Sequence, residues 1–150
     1  YLKKAKTSFV EKENPIGYGV VLFDLAGYHF NKGQYDSSYF YYTEALEIYQ
    51  RENDKIRQGK TYTLLANVYW AQKDYNEAIK AAHISDSLNC IMGYTEGHLI
   101  SILTIAKIYQ VTEDYDSSIY YLQSILNEQE LNDKYDFAAG LIATRIELKL

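Results

Sequence analysis

Three histidines, one cysteine and a scatter of carboxylates are what this 150-residue chain offers for chemistry. His83 and His98 flank Cys90, and these are residue types that ligate transition metals. Structural zinc takes four tight ligands, often in short-spaced pairs, and no such pair occurs, so no metal site is expected. Cys90 is expected in a loop between helices, with no obvious base to draw off its proton, and therefore as an inert thiol. The acidic pairs Glu11/Glu13, Glu44/Glu47 and Glu128/Glu130 read as solvated helix charges. Asp24 stands apart because it falls on a helix face expected to border a groove, where it can meet a basic ligand or serve as a plain surface carboxylate. Glycine-rich phosphate loops, nucleophile elbows and HExxH stretches are absent from the sequence. Catalysis needs convergent acid, base or nucleophilic groups. Without them, neither an enzymatic role nor a cofactor is expected.

The elements that must position these residues are helical. The chain is 47% hydrophobic and 23% charged, the balance of a packed domain, and one Pro and 8 Gly leave long stretches free of helix breakers. With 15 Lys and Arg against 20 Asp and Glu, the net charge is −5 and the only basic run is Lys3, Lys4 and Lys6. Duplex binders need a basic stripe to neutralise phosphates, so direct nucleic-acid binding by this segment is not expected. The longest stretch without a charge, Thr61 to Gln72, is far shorter than the roughly 18 apolar residues of a membrane helix. A single cysteine leaves stability to packing and sets no compartment. The segment starts at Tyr1 and reads as part of something longer, either cytoplasmic or, if its parent is a membrane-tethered sensor, periplasmic.

Internal order is the strongest signal. Tyr35, Tyr75 and Tyr115 recur at a step of 40 residues, and their neighbours keep the step: Gln34, Asp74 and Asp114 before, Ser38, Ala78 and Ser118 after. Upstream, Leu25-Ala26, Leu65-Ala66 and Ile105-Ala106 stay in register, as do His29, Tyr69 and Tyr109. Apolar spacing and turn residues predict helices at about 16–31, 35–50, 57–72, 75–88, 95–111 and 115–127, with one before (1–12) and one after (134–149). Gly33 suits the left-handed residue that ends a helix. Asn14-Pro15, Asn53-Asp54-Lys55 and Asn132-Asp133-Lys134 are the breaks between units. The expected fold is all-α, built of antiparallel helix pairs, with a partial unit at 1–14, repeats at 16–52, 56–90 and 95–130, and a second partial unit at 134–150. Ala and Ser are assigned to the helix crossings, and Leu25, Leu65 and Ile105 to the space between neighbouring pairs. His29, at the aromatic position of its repeat, is assigned to packing, and Tyr is abundant because its ring packs while its hydroxyl reaches water or a carbonyl.

The segments LAGYHFNKGQYDSSYFYYTEAL, LANVYWAQKDYNEAIKAAHISDSL and IAKIYQVTEDYDSSIYYLQSIL resemble tetratricopeptide repeats. They share a Leu-Ala/Gly pair, an aromatic three residues on, a turn ending in Tyr, then a small residue. Ser38 and Ser118 stand where Ala is usual, and the step is 40 rather than the common 34. The resemblance implies a right-handed superhelical solenoid whose first helices line a concave groove. It implies groove positions at Phe23, Asp24, Gly27, Phe30 and Asn31, then Lys60, Thr63, Asn67 and Trp70, then Leu103, Thr104, Lys107 and Gln110. Asn67 would pair with a peptide backbone, Trp70 and Phe30 would offer flat contact, and Lys60 and Lys107 would draw an acidic group. The Lys and Asn clamp that one subfamily uses for C-terminal carboxylates is absent. Phe23, Gly27, Leu64, Ile100 and Thr104 occupy its places.

Two functions fit these features. One is a protein- or peptide-binding module, the input or scaffold region of a bacterial signalling or transcriptional regulator, which repeats of this step with an Asn-Asp-Lys linker resemble. The other is an architectural segment whose surfaces are filled by the rest of its parent chain or by a second copy, since exposed end repeats favour self-association.

Overall fold

The computed structural model describes residues 13–126. Among them are six α-helices and no strand: α1 (Pro15–Asn31), α2 (Tyr35–Arg51), α3 (Lys55–Ala71), α4 (Tyr75–Ile91), α5 (Thr95–Val111) and α6 (Tyr115–Leu126). The terminal helices expected at 1–12 and 134–149 lie outside the described residues. Helix starts recur every 20 residues, so a repeat of 40 is two helices of equal length.

Every connection has the same backbone geometry. One residue at each turn takes a left-handed backbone: Gly33 (φ 72°), Asn53 (55°), Lys73 (64°), Gly93 (63°) and Glu113 (65°). The amide after it donates back five residues, as in Gln34 N to His29 O (2.9 Å) and Asp74 N to Tyr69 O (2.9 Å), closing the orphan carbonyls of the ending helix. That same residue then opens the next helix. Asp54 accepts from Arg57 N (3.0 Å), Asp74 from Glu77 N (3.3 Å) and Asp114 from Ser117 N (3.1 Å), while Asn14 caps α1 through Gly17 N (2.9 Å). Pro15 begins α1, where its missing N–H costs nothing.

The Gly93 turn corrects one expectation. α4 runs three residues past Leu88, to Ile91, so Cys90 lies in its last turn and not in a loop. Nothing in the apolar spacing near residue 88 marks the end of α4; the turn at residue 93 does, because a left-handed position there matches those at 33, 53, 73 and 113.

Consecutive helices pack against one another, and α3 also meets α5 across a repeat. At the crossings within pairs, Ala26, Ser38, Ala66, Ala78, Ala106 and Ser118 are all fully buried. Leu65 fills the seam with the preceding pair, beside Ala26, Tyr42 and Leu46, and Ile105 does the same beside Ala66, Ala81 and Ala82. Leu25 does not: it is 38% exposed, because no described pair stands in front of α1 to receive it. The aromatic position of each repeat packs as expected. His29 stacks on Tyr41 (centroids 5.2 Å apart), and Tyr109 stacks on Tyr121 (5.7 Å) in the equivalent contact. In the middle repeat Ala81 holds that place, and Tyr69 turns to Tyr39 of the preceding pair (5.6 Å). His83 pairs with Tyr121, its Nε2 lying 3.4 Å from the phenol oxygen.

Beside the apolar stretch around Ile105, the seam joining α3, α4 and α5 carries a buried polar cluster. Ser85 Oγ donates to Gly59 O (2.9 Å) and lies 2.9 Å from Ser101 Oγ, and Asn89 Nδ2 donates to both hydroxyls (3.2 Å each). The Asn89 side chain fits only because Gly59 and Gly97 face it. A Cβ on either would come within 2.7 Å of its carbonyl oxygen. Gln58 Nε2 donates to Tyr49 O (2.9 Å), joining α3 to the end of α2.

Ser38 and Ser118 hold equivalent places with unequal bonding. Ser118 Oγ donates to Ala106 O (2.8 Å), whereas the buried Ser38 hydroxyl has no partner. A buried hydroxyl without a partner is a net cost, and a satisfied one a modest gain. Ser38→Ala therefore leaves stability unchanged or raises it by up to about 1 kcal/mol, while Ser118→Ala lowers it by about 1 kcal/mol. Urea unfolding of the two variants checks the contrast, and equal effects would refute it.

Candidate functional site

Where successive first helices diverge, two clefts open between them and share a wall. The larger, about 630 Å³, lies between α1 and α3 over the end of α2 and is lined by Val20, Phe23, Asp24, Tyr49, Asp54, Ile56, Arg57 and Lys60. The smaller, about 320 Å³, lies between α3 and α5 and is lined by Phe23, Lys60, Thr63, Leu64, Asn67, Asn89, Tyr94, Gly97 and Ile100. Phe23 and Lys60 border both, so the clefts form one continuous face.

The face has apolar walls and a few directed polar groups. Phe23 packs edge-on against Tyr42 (5.3 Å), which fixes its ring at the shared rim. Lys60 holds its ammonium over the Tyr94 ring, 5.5 Å from the centroid, a cation–π contact spanning the mouth of the smaller cleft. In the larger cleft Arg57 is ion-paired to Asp54, its own helix cap. Partial burial pushes the Asp54 carboxyl up, but bonds from the Arg57 amide and guanidinium and the charge of Lys60 outweigh it and hold the group below the usual carboxylate range. Burial, with the Asp24 charge adding to it, pushes the Tyr42 phenol up to about 12. The Tyr49 phenol rises to about 12 as well, again through burial, so both stay neutral through the physiological range. Apolar contact, the Asn67 amide, the Lys60 ammonium and the Asp24 carboxylate are among the groups this surface offers a ligand, a set that binds and orients.

Of the residues assigned to a groove from the sequence, Phe23, Asp24, Lys60, Thr63 and Asn67 come together here. The others do not line the clefts. Phe30 is half-buried against Tyr35 (5.5 Å), Asn31 is exposed at the end of α1, and Trp70 is half-buried at the far end of α3. Thr104 is buried and donates to Ile100 O (2.8 Å), while Lys107 is exposed and Gln110 half-buried, both further along α5. Residues up to Asp24 on α1, Asn67 on α3 and Ile100 on α5 line the clefts; those in the turns beyond do not. Sequence reasoning missed the far walls, chiefly Tyr49, Asn89 and Tyr94. These reach the face from second helices or from a turn, which no first-helix pattern marks. Leu64 and Ile100, named as apolar substitutes at the absent carboxylate clamp, do line the smaller cleft beside Phe23.

A second cluster was not foreseen. Cys90 Sγ on α4 lies 3.2 Å from His98 Nδ1 on α5, and the same nitrogen lies 2.5 Å from Asp86 Oδ1. The thiol is thus beside a base, contrary to the expectation of none, because one added turn of α4 brings it level with α5. His83, the other histidine of the supposed trio, is elsewhere, against Tyr121.

No helix among the described residues is long and apolar enough to cross a membrane. Asp54 gives the site a stability signature. Since its folded pKa is depressed, its stabilisation is present above the ordinary carboxylate range and disappears as pH falls through the folded value. Asp54→Ala should cost about 1 kcal/mol at neutral pH. The gap to the unaltered chain should then close on acidification, as measured by urea unfolding across pH; a gap independent of pH would refute the assignment.

No curated protein matches the sequence. The family model described as Tetratricopeptide repeat matches residues 19–82, which span α1 to α3 and the first half of α4. The same helix length, turn and small-residue crossing continue beyond the match through α6, so the likeness of residues 19–82 to tetratricopeptide repeats extends in architecture along the described helices.

Proposed function

We propose that this chain is a protein-interaction module that takes a protein segment along the face formed by α1, α3 and α5. Tetratricopeptide repeats generally mediate protein–protein interaction, and the family acts by binding rather than by chemistry. The observation that carries the finer reading is the continuity of the two clefts through Phe23 and Lys60. Their apolar walls suit alternate side chains of a peptide, Asn67 suits its backbone amides, and Lys60 suits an acidic side chain. Phe23, Leu64 and Ile100, where a carboxylate clamp would need polar groups, favour an internal apolar segment over a C-terminal carboxylate. The 40-residue step and Asn-Asp-Lys linker extend the reading to the input or scaffold region of a bacterial signalling or transcriptional regulator. The net charge of −5 sets this segment apart from a direct reader of nucleic acid.

A random peptide library displayed on phage tests the proposal with the whole chain as bait. Enriched peptides should carry apolar residues flanking an acidic one, and Lys60→Glu should lose that selection while Asn67→Ala weakens it by roughly tenfold, the value of one lost hydrogen bond. No enrichment, or the same peptides selected by Lys60→Glu, would overturn it. Neither residue is in the core, so both variants keep the fold.

A second reading has its own observation. Val21, Leu25 and Tyr28 are 54%, 38% and 57% exposed and fall on one stripe of α1 at the end of the described stack. Such a stripe suits packing against the parent chain or a second copy. Sedimentation equilibrium should then show association that Val21→Glu removes, and a monomer at every concentration would argue against a second copy.

A further inference from the structure

We infer that Asp86, Cys90 and His98 form a site for one divalent transition-metal ion of the zinc class, independent of the peptide-binding reading. Asp86 and Cys90 are one helical turn apart on α4, so they share a face, and the tight 92–94 turn brings His98 on α5 to that face. Their donor atoms all lie within 4.8 Å of one another: Oδ1 to Nδ1 2.5 Å, Sγ to Nδ1 3.2 Å, Sγ to Oδ1 4.0 Å.

The convergence is what separates an ion site from a nucleophile. In a thiol relay the carboxylate holds one imidazole nitrogen while the thiol is bonded to the other. Here Asp86 and Cys90 both address Nδ1, so the three donors converge on one another in place of the relay's arrangement on opposite ring nitrogens. A thiolate, a carboxylate and a neutral imidazole carry a charge of −2, which a divalent cation neutralises. Zinc takes this S, N and O mixture at about 2.3, 2.0 and 2.1 Å, which puts tetrahedral N and O donors roughly 3.4 Å apart. Oδ1 and Nδ1 must therefore separate by about 1 Å, within a rotation of the half-buried Asp86 carboxylate. A cleft of about 270 Å³ bordered by Cys90, Gly93, Tyr94 and His98 leaves room for water as a fourth ligand. Bound there, an ion ties the end of α4 to the start of α5 and steadies Tyr94, which also walls the smaller cleft.

Titration of the full chain with Zn²⁺ by calorimetry, and with Co²⁺ by absorbance, tests the site. One equivalent should bind, Co²⁺ should show a thiolate charge-transfer band with tetrahedral d–d absorption, and Zn²⁺ should slow alkylation of Cys90 at least tenfold, roughly as thiolate ligation requires. Cys90→Ser should abolish the cobalt band, and His98→Gln and Asp86→Asn should each weaken Zn²⁺ binding by at least about tenfold. Unsaturable binding, a purely octahedral cobalt spectrum, or an alkylation rate indifferent to Zn²⁺ would overturn the inference. The alkylation arm uses the unaltered chain and stands whatever the variants do to folding.

Discussion

Close approach of two helix backbones is the constraint on which this structure depends. At the three crossings within pairs the facing residues are Ala26 and Ser38, Ala66 and Ala78, Ala106 and Ser118, and every one is fully buried. Helices packed at interaxial distances of about 8–10 Å leave no room for larger side chains at the point of contact. A bulky residue there would wedge one pair open and, because each pair rests only on its neighbours, displace the next. The Ser118 hydroxyl reaches across to Ala106 O, which shows how close the backbones come.

The turns make that contact repeatable. One left-handed residue and one backbone bond five residues back end each helix, and the next residue stands at the N-cap of its successor, so all the connections have equal length. Equal connections put equivalent residues at equivalent heights, and so Tyr109 on Tyr121 repeats His29 on Tyr41. Gly suits the left-handed position best, yet Lys73 and Glu113 also hold it, so the backbone geometry prevails over residue preference there.

The seams between pairs differ in chemistry, and that difference is where local character enters. The seam before α3 is apolar, with Leu65 among Ala26, Tyr42 and Leu46. The seam before α5 holds Ser85, Asn89 and Ser101 in a closed set of hydrogen bonds, with Gly59 and Gly97 making space for Asn89. A polar seam of this kind is tolerated only when its members are satisfied, and it fixes the relative height of α4 and α5 more strictly than methyl groups would. The smaller cleft and the Asp86–Cys90–His98 cluster both lie against this seam and take their geometry from it.

Helix, turn and crossing were legible in the chain itself, because each is a local demand repeated every 40 residues: an apolar stripe, a polar turn residue before and a small residue after Tyr35, Tyr75 and Tyr115. The terminal repeats expected at the two ends fall outside the described residues. Part of the cleft lining was legible as well, for Phe23, Asp24, Lys60, Thr63 and Asn67 stand at first-helix positions that the repeat resemblance implies. Which end of that face opens was not, since it depends on how far successive first helices diverge, a property of stacked pairs and not of any one helix. Nor could spacing place Tyr49, Asn89 and Tyr94 in the walls, or set Asp86 and Cys90 against His98. Those meetings join residues on different helices, and only packing decides which turns come level. Local periodicity carries the element; the distance between two elements is set by the side chains trapped between them.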